Sequence, residues 1–256
     1  GHFLFKNDSE FLSLLNNYED YYFDHNVISE DTACIYYSSG TTGDSKCVVY
    51  TNQNMMALIG SIVDEFNFNL DSKHLGILPM GHTAITNYSF LPSLFAGGQL
   101  YLAQNFNSIR VNLFDIISEY QINYLQIVPT ILFALISTNY DSNKINLNQS
   151  LKYVGCGSAP LSLESQIKFF KKFSINVANL YGLSETGPSH FDNPLKVGWK
   201  PGSIGFPLSV NKCKILDNDM NEVKVNEVGQ IALTGENVFK SYWKNDDAFN
   251  KSSFKG

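Results

Sequence analysis

Residues 37–46 read Tyr37-Ser38-Ser39-Gly40-Thr41-Thr42-Gly43-Asp44-Ser45-Lys46, and this stretch is the strongest feature of the sequence. Apolar runs at 33–37 and 47–50 flank it, so we expect two strands joined by a loop of glycines and hydroxyl residues. The glycines let the backbone turn tightly and bring amide hydrogens close to a ligand. These amides, the hydroxyls and the Lys46 ammonium suit the oxygens of a polyphosphate. The GxxxxGK[ST] spacing of the P-loop is absent, and an ordinary Ser/Gly turn is the alternative.

Strands and helices alternate after this loop. A Thr-Asn pair at 51–52 offers a helix cap, and one helix face then follows at Met55, Ile59, Ile62 and Phe66. The later predicted strands are 74–78, 99–102, 123–128, 151–155 and 175–180. The later predicted helices are 111–120, 129–137 and 162–173, the last with Leu163, Ile167 and Phe170 on one face. This alternation predicts an α/β fold of layered, largely parallel sheets with helix cover.

The pattern changes after about residue 195. Glycines and prolines become frequent, and two short strands are predicted at 212–216 and 229–234 around the polar turn 217–219. We therefore expect an α/β body over residues 1–195. A small β-rich subdomain is expected over residues 196–256.

Composition narrows the class of protein. The chain has 256 residues, 44% of them apolar, and a net charge of −6, which excludes a dominant electrostatic grip on nucleic acid. Four cysteines occur without a CxxC pair, which argues against a zinc or redox motif and favours a reducing, cytoplasmic location. The stretch between Lys73 and Arg110 has no charged residue, but prolines and glycines interrupt it, so no membrane span is expected.

Two further motifs follow predicted strands. Residues 181–187 read Tyr-Gly-Leu-Ser-Glu-Thr-Gly, and residues 155–160 read Gly-Cys-Gly-Ser-Ala-Pro. Open α/β sheets bind ligands beyond the carboxyl ends of their strands. An aromatic ring such as Tyr181 can stack on a base there, and a carboxylate such as Glu185 can hold Mg²⁺.

In this order the motifs resemble the adenylate-forming superfamily of acyl-CoA synthetases, aryl-CoA ligases, luciferase and peptide-synthetase adenylation domains. Residues 37–46 match its phosphate loop except that Ser45 replaces a proline, and Cys47 replaces the next glycine. Residues 157–160 resemble its Gly-Ala-Pro-Leu segment, and residues 181–185 resemble its Tyr-Gly-x-Thr-Glu motif, with a serine for the threonine. The resemblance runs from about residue 32 to residue 250.

The resemblance implies a role for each matched residue. Lys46 and the loop would grip the β- and γ-phosphates of ATP, the loop residues being Ser38, Ser39, Gly40, Thr41, Thr42 and Gly43. Glu185 would ligate Mg²⁺ together with Thr42, and Lys46 and Glu185 would be the catalytic pair. The adenine side would be formed by Tyr181, Gly182, Ser184, Gly157, Ser158, Ala159 and Pro160. His82 would border the acyl pocket, and the uncharged stretch 74–109 would line part of it; a buried, packed histidine is the alternative. The body over residues 1–195 would thus bind both the nucleotide and the acyl group.

The implied activity is that of an acid–thiol ligase, the AMP-forming acyl-CoA synthetase type. A fatty or aryl carboxylic acid attacks the α-phosphorus of ATP, and the acyl adenylate passes to CoA or to the phosphopantetheine of a carrier protein. One alternative is an amino-acid adenylation domain of a peptide synthetase. It is disfavoured because residues 79–90 contain no acidic side chain and Leu183 replaces that class's proline. A non-catalytic nucleotide-binding module is the third possibility.

Two parts of the family pattern are missing. The Thr-Gly-Asp segment that holds the ribose does not occur, nor does the mobile C-terminal domain with its lysine. We therefore expect a central piece of a longer enzyme, engineered rather than naturally short. On its own, such a piece is expected to be inactive, because catalysis needs the reacting groups held in line.

Overall fold

The structure is a computed structural model that describes Ser13 and residues 26–38, 45–140 and 150–253. Its strands are β1 Thr32–Ser38, β2 Lys46–Thr51, β3 Lys73–Gly76, β4 Gln99–Leu102, β5 Tyr124–Ile127, β6 Tyr153–Gly157, β7 Asn176–Leu183, β8 Gly187–Phe191, β9 Phe206–Pro207, β10 Asn211–Leu216, β11 Gln230–Gly235 and β12 Ser241–Tyr242. Its helices are α1 Asn52–Phe66, α2 Thr83–Ile85, α3 Leu91–Phe95, α4 Phe106–Ile109, α5 Leu113–Glu119, α6 Pro129–Ser137, α7 Leu163–Phe173 and α8 Asp246–Ser252. A π-helical turn, Thr86–Phe90, joins α2 to α3.

The largest sheet has seven strands in the order β4-β3-β5-β6-β7-β8-β9. The strands from β4 to β7 are parallel, and β8 and β9 extend the β7 edge as antiparallel strands. A small sheet has the order β1-β2-β12, and β10 pairs with β11. The predicted α/β class, with sheets and helices in layers, is confirmed.

Helix α1 forms as the sequence predicts. The Thr51 hydroxyl accepts a hydrogen bond from the Asn54 backbone amide at 3.1 Å, and the Asn54 side chain accepts one from the Thr51 amide at 3.0 Å. This reciprocal cap satisfies two amides that the first turn leaves free. The predicted apolar face is buried throughout, at Met55, Ile59, Ile62 and Phe66.

Two apolar clusters cover the two faces of the large sheet. One cluster joins strand residues to helices α5, α6 and α7, and the other joins them to α1. In the second cluster the ring of Phe66 stacks on that of Phe191 with centroids 4.0 Å apart. Phe66 also meets the edge of Tyr124 at 5.7 Å. These contacts hold α1 against the face of the sheet that carries Tyr124 of β5 and Phe191 of β8.

Helix α7 buries a different face from the one that its apolar spacing predicts. The three residues on the predicted face are 42–48% exposed: Leu163, Ile167 and Phe170. Phe169 and Phe173 are buried instead, together with Gln166. Gln166 is held inside because its side-chain amide donates to the Val177 carbonyl at 3.0 Å. The rings of Phe169 and Phe173 lie 4.7 Å apart, and Phe173 lies 5.1 Å from the Phe114 ring, so these aromatic contacts orient the helix.

Strand β1 is less buried than its apolar run predicts. Ile35 is 37% exposed and Tyr37 is 76% exposed, whereas Ser38 is buried. The strand is at an edge of the small sheet, and an antiparallel sheet can leave one face in water.

Strands from residues 196–256 join more than one sheet. β9 extends the large sheet, β12 pairs with β2, and β10 and β11 form the predicted hairpin. Asp217 Oδ1 accepts from the backbone amides of Asp219 and Asn221, both at 2.9 Å, so the predicted polar turn is confirmed. The division of the chain at about residue 195 stays a prediction. None of the helices in the described ranges combines the length and the apolarity that a membrane crossing requires.

His74 is a fully buried residue of β3. Its ring lies 4.4 Å from the Phe68 ring and 4.9 Å from the Tyr124 ring, measured between centroids. Neither ring nitrogen has a hydrogen-bond partner in the described part of the chain. Burial lowers the pKa of His74 to about 4, because the charged imidazolium is disfavoured away from water. His74 is therefore a neutral core residue.

We predict that His74 makes the free energy of unfolding depend on pH. A histidine in the unfolded chain takes up a proton near pH 6.5, whereas folded His74 does so near pH 4, so stability falls as the pH drops through this window. The expected loss is about 3 kcal/mol at the acid end. Urea unfolding at several pH values measures this effect in wild type and in His74→Phe, which keeps an aromatic ring. The loss of unfolding free energy that His74 causes should appear in wild type and be absent from the variant. Equal pH slopes for the two proteins would contradict the prediction.

Candidate active site

The two ends of the proposed phosphate loop are held side by side. Ser38 ends β1, Lys46 begins β2, and the two residues are the last antiparallel pair of this hairpin. Ser38 is buried and Lys46 is half-buried. Five proposed phosphate contacts lie outside the described residues: Ser39, Gly40, Thr41, Thr42 and Gly43. The hairpin therefore fixes where the loop leaves and rejoins the small sheet.

Glu185 lies in a tight turn between two paired strands. The sequence predicted a strand ending at 180 followed by a loop over 181–187, but β7 continues to Leu183 and β8 begins at Gly187. Only residues 184–186 form the turn. Gly182 is required here, because a Cβ would lie 2.2 Å from the Gly187 carbonyl oxygen.

All three backbone carbonyls of the 184–186 turn accept a hydrogen bond of 2.8 Å. The donors are, in order along the turn, the Tyr50 hydroxyl, the Phe239 backbone amide and the Asn237 side-chain amide. Each donor comes from a segment outside the β7–β8 hairpin. The turn is therefore held by tertiary contacts as well as by its own strands.

The Glu185 side chain meets Lys46 through Tyr242. The Tyr242 hydroxyl donates to Glu185 Oε1 at 2.6 Å, and Lys46 Nζ lies 5.0 Å from the centroid of the same ring. Tyr242 is 3% exposed. Burial raises the pKa of Tyr242, and the hydrogen bond to the Glu185 carboxylate raises it further, so the hydroxyl keeps its proton. The two residues predicted to be catalytic thus contact one aromatic side chain.

Strand β12 fixes the position of Tyr242. Tyr242 pairs with Val48 of β2. On either side of it, the Trp243 amide donates to the Cys47 carbonyl at 2.8 Å and the Lys240 amide donates to the Val49 carbonyl at 2.9 Å. Lys46 begins the same β2 strand, so the tyrosine and the lysine share one backbone frame.

The two proposed adenine-side segments leave neighbouring parallel strands. Gly157 ends β6 and pairs with Leu180 of β7, one residue before Tyr181. Gly157 has room for no side chain, because a Cβ would lie 2.4 Å from the Leu180 carbonyl oxygen. Ser158 has a positive φ of 69°, and it is exposed together with Ala159 and Pro160. The sharp turn after β6 therefore presents these residues beside Tyr181.

Tyr181 is half-buried and meets the ring of His190 edge-on, with centroids 5.6 Å apart. His190 is buried on β8, and burial lowers its pKa. Ser184 lies three residues beyond Tyr181, in the turn that holds Glu185. The hairpin thus connects the proposed base-stacking ring to the proposed metal ligand.

His82 is exposed and caps helix α2. Its Nδ1 accepts the Ala84 backbone amide at 3.1 Å, which leaves Nε2 for another partner. The alternative of a buried, packed histidine is therefore wrong, because this ring satisfies a helix end at the surface. In the helical segment that follows, Ala84, Ile85 and Tyr88 are buried, as are polar Asn87 and Ser89.

Glu185 suits a magnesium ion that also binds substrate phosphates. Mg²⁺ commonly keeps several waters and takes one or two carboxylates plus phosphate oxygens, so a protein cage is unnecessary. Among the described residues no group of three His, Cys, Asp or Glu side chains could hold a metal alone. Tyr242 uses Oε1 of Glu185, which leaves Oε2 for a metal. The other proposed ligand, Thr42, lies outside the described residues.

Three residues that hold the turn have no role in the sequence-based prediction: Tyr50, Asn237 and Tyr242. The resemblance to the family, which runs to about residue 250, includes Tyr242 but gives it no role. Its neighbours in sequence do not reveal that its hydroxyl reaches a residue 57 positions away. Pairing of β12 with β2 is the information that the sequence pattern lacks.

Comparison with known proteins identifies related chains. A CoA ligase-like protein of Arabidopsis thaliana, "4-coumarate--CoA ligase-like 3", is 29% identical over 88% of this chain and 41% of its own length. "Probable CoA ligase CCL5" of Humulus lupulus is 32% identical over the same shares. A "Long-chain-fatty-acid--CoA ligase" of Salmonella typhimurium is 28% identical over 92% of this chain and 42% of its own length. The chain thus spans about two fifths of these relatives.

Solved structures share the fold. ATP-bound MatB from Rhodopseudomonas palustris superimposes with a TM-score of 0.85 and 25% identity, covering 96% of this chain and 48% of MatB. The N-terminal domain of FACL13 from Mycobacterium tuberculosis has a TM-score of 0.84 at 20% identity, covering 97% of this chain and 61% of that one. The second comparison, at lower identity, shows the fold alone.

A model of the family described as "AMP-binding enzyme" matches residues 7–243, nearly the whole chain. The match includes both strands of the phosphate-loop hairpin, the segment after β6, the Glu185 turn and β12. The chain belongs to the AMP-binding enzyme family.

Proposed function

We propose that the protein activates a carboxylic acid with ATP and passes the acyl group to a thiol. An oxygen of the acid attacks the α-phosphorus, the bond from that phosphorus to the bridging oxygen breaks, and pyrophosphate leaves with the electron pair. A thiolate then attacks the acyl carbon and AMP leaves. The observation that carries this proposal is the meeting of Lys46 and Glu185 at Tyr242, beside the phosphate-loop hairpin.

Lys46 and Glu185 supply complementary charges for this reaction. Lys46 would place its ammonium on the β- and γ-phosphates, where negative charge collects as pyrophosphate leaves. Glu185 would hold Mg²⁺, which when bound neutralises phosphate charge. Little covalent chemistry is required of the protein in phosphoryl transfer, so positioning of these two groups accounts for most of their effect.

The remaining proposed contacts orient the nucleotide and the acid. Tyr181 would stack on the adenine, with the segment 157–160 and the neighbouring Gly182 and Ser184 beside it. Ser38 and the loop 39–43 would donate hydrogen bonds to the phosphates. His82 would border the acid, because it opens the helical segment that follows β3 and keeps Nε2 for a partner.

The acid is proposed to be fatty or aryl, and the acceptor to be CoA. The names of the relatives include both a 4-coumarate–CoA ligase-like protein and a long-chain-fatty-acid–CoA ligase. A phosphopantetheine on a carrier protein offers the same thiol and is the alternative acceptor. A cytoplasmic location fits four free cysteines at 34, 47, 156 and 213.

Lys46→Ala is expected to lower ATP affinity roughly 10- to 100-fold, because a hydrogen bond to a charged group is worth about 1.5–3 kcal/mol. Calorimetric titration of the natural full-length protein with ATP measures this. Lys244→Ala is the matched control, since the Lys244 ammonium also lies on an aromatic ring, 5.7 Å from the Trp243 centroid. An unchanged affinity in Lys46→Ala would remove Lys46 from the phosphate site.

Glu185→Gln is expected to reduce Mg²⁺-dependent ATP–pyrophosphate exchange roughly 100-fold or more, because a metal ion contributes several kcal/mol of charge stabilisation. The amide keeps the shape and can still accept from Tyr242, so the fold should persist, as circular dichroism would verify. Glu164→Gln is the control, since Glu164 is exposed and pairs with Lys168 at 2.7 Å. Normal exchange by Glu185→Gln would disprove the proposed metal role.

Fatty or aryl acids are expected to be adenylated faster than α-amino acids. Residues 79–90 offer no carboxylate to pair with an ammonium group, and burying an unpaired charge is costly. Pyrophosphate release by the full-length protein with a panel of acids measures the preference. Faster release with amino acids would favour the adenylation-domain alternative, and ATP binding without release for any acid would favour the non-catalytic one.

A further inference from the structure

Tyr242 lies between two oppositely charged groups. Its hydroxyl donates to Glu185 Oε1 at 2.6 Å, and its ring receives the Lys46 ammonium at 5.0 Å from the centroid. In the described part of the chain Lys46 and Glu185 form no ion pair with each other. One buried side chain therefore contacts both charges without letting them neutralise one another.

We propose that Tyr242 is a positioning residue that acts as a spacer between Lys46 and Glu185. The hydroxyl fixes one carboxylate oxygen and leaves the other for a metal ion. The ring face holds the lysine ammonium, which is otherwise a mobile charge on a flexible four-carbon stem. This inference rests on the proposed function, because it assigns the two charges to metal and phosphate.

The physical need for a spacer follows from the charges themselves. An ammonium and a carboxylate on adjoining segments attract each other strongly where water is partly excluded. A direct ion pair between Lys46 and Glu185 would engage both the proposed phosphate cation and the proposed metal ligand. Nucleotide and metal could then bind only after this ion pair had been broken. A neutral aromatic donor satisfies both groups at a distance.

Backbone contacts of the segment 239–242 hold Tyr242 in this position. The Phe239 backbone amide donates to the Glu185 carbonyl at 2.8 Å. Three residues later in the chain, the Tyr242 hydroxyl donates to the Glu185 side chain. Tyr242 also pairs with Val48, two residues beyond Lys46. The segment 239–242 thus contacts Glu185 twice and runs beside the strand that carries Lys46.

Two substitutions separate the functions of the hydroxyl and the ring. Tyr242→Phe removes the hydrogen bond to Glu185 and keeps a ring for Lys46, whereas Tyr242→Leu removes both. In the natural full-length protein we expect Tyr242→Phe to weaken Mn²⁺ binding about tenfold, measured by electron paramagnetic resonance with a non-hydrolysable ATP analogue. ATP affinity without divalent metal should be unchanged in Tyr242→Phe and lowered in Tyr242→Leu.

Tyr50→Phe is the matched control, because it removes a tyrosine hydroxyl that donates to the same turn but to the Ser184 carbonyl at 2.8 Å. Its Mn²⁺ affinity should change less than threefold, because the Phe239 and Asn237 bonds still hold the turn and the Tyr242 hydroxyl still holds the Glu185 side chain. Circular dichroism checks the folding of all variants. With the ATP analogue at a concentration that saturates each variant, the double variant Lys46→Ala/Tyr242→Leu should bind Mn²⁺ more tightly than Tyr242→Leu alone, because no lysine remains to pair with Glu185.

The outcomes distinguish the spacer role from the proposed function. Equal Mn²⁺ defects in Tyr50→Phe and Tyr242→Phe would overturn the spacer role and show a general effect on the turn. A double variant no better than Tyr242→Leu would also overturn it. A wild-type protein that binds Mn²⁺ and ATP as expected but releases pyrophosphate with no acid would instead contradict the proposed function, while leaving the spacer role supported.

Discussion

The hydrogen bonds to the 184–186 turn are the constraint on which the rest of the candidate site depends. A three-residue turn at the tip of a hairpin has little internal stabilisation, and loop tips are usually the mobile parts of a fold. Here every backbone carbonyl of the turn accepts a bond from outside the hairpin. These bonds fix the position of Glu185 relative to the sheet, which its proposed role as a metal ligand requires.

The donors to this turn come from distant parts of the chain. Tyr50 is 134 residues before its acceptor, and Asn237 is 51 residues after its own. Both donors are buried, so each bond forms where water competes weakly. The site is therefore assembled only when the small sheet and the 237–242 segment dock on the large sheet. Folding and preorganisation of the site are the same event in this part of the molecule.

The local sequence pattern was sufficient to predict many of the helices and strands, but not which residues they contact elsewhere in the fold. The cap and buried face of α1 follow from residue spacing, and α6 and β4 have the bounds that the sequence predicts. The buried face of α7 does not follow, because it is set by contacts with distant residues: Phe173 packs on Phe114, and the Gln166 side chain donates to the Val177 carbonyl. Tyr242 could not be assigned, because its role depends on which strand β12 joins. Such non-local pairing leaves no periodic trace in sequence.

Strand β2 connects the proposed phosphate loop to the residue that binds Glu185. Its neighbours are β1, which leads into the proposed phosphate loop, and β12, which carries the tyrosine that holds Glu185. β12 is two residues long, too short to be stable without a partner strand. Its backbone hydrogen bonds to β2 fix the position of Tyr242. The Tyr242 side chain in turn contacts both Glu185 and Lys46. Glu185 and Lys46, the proposed metal ligand and the proposed phosphate cation, come from different sheets and are held in register by this two-residue strand.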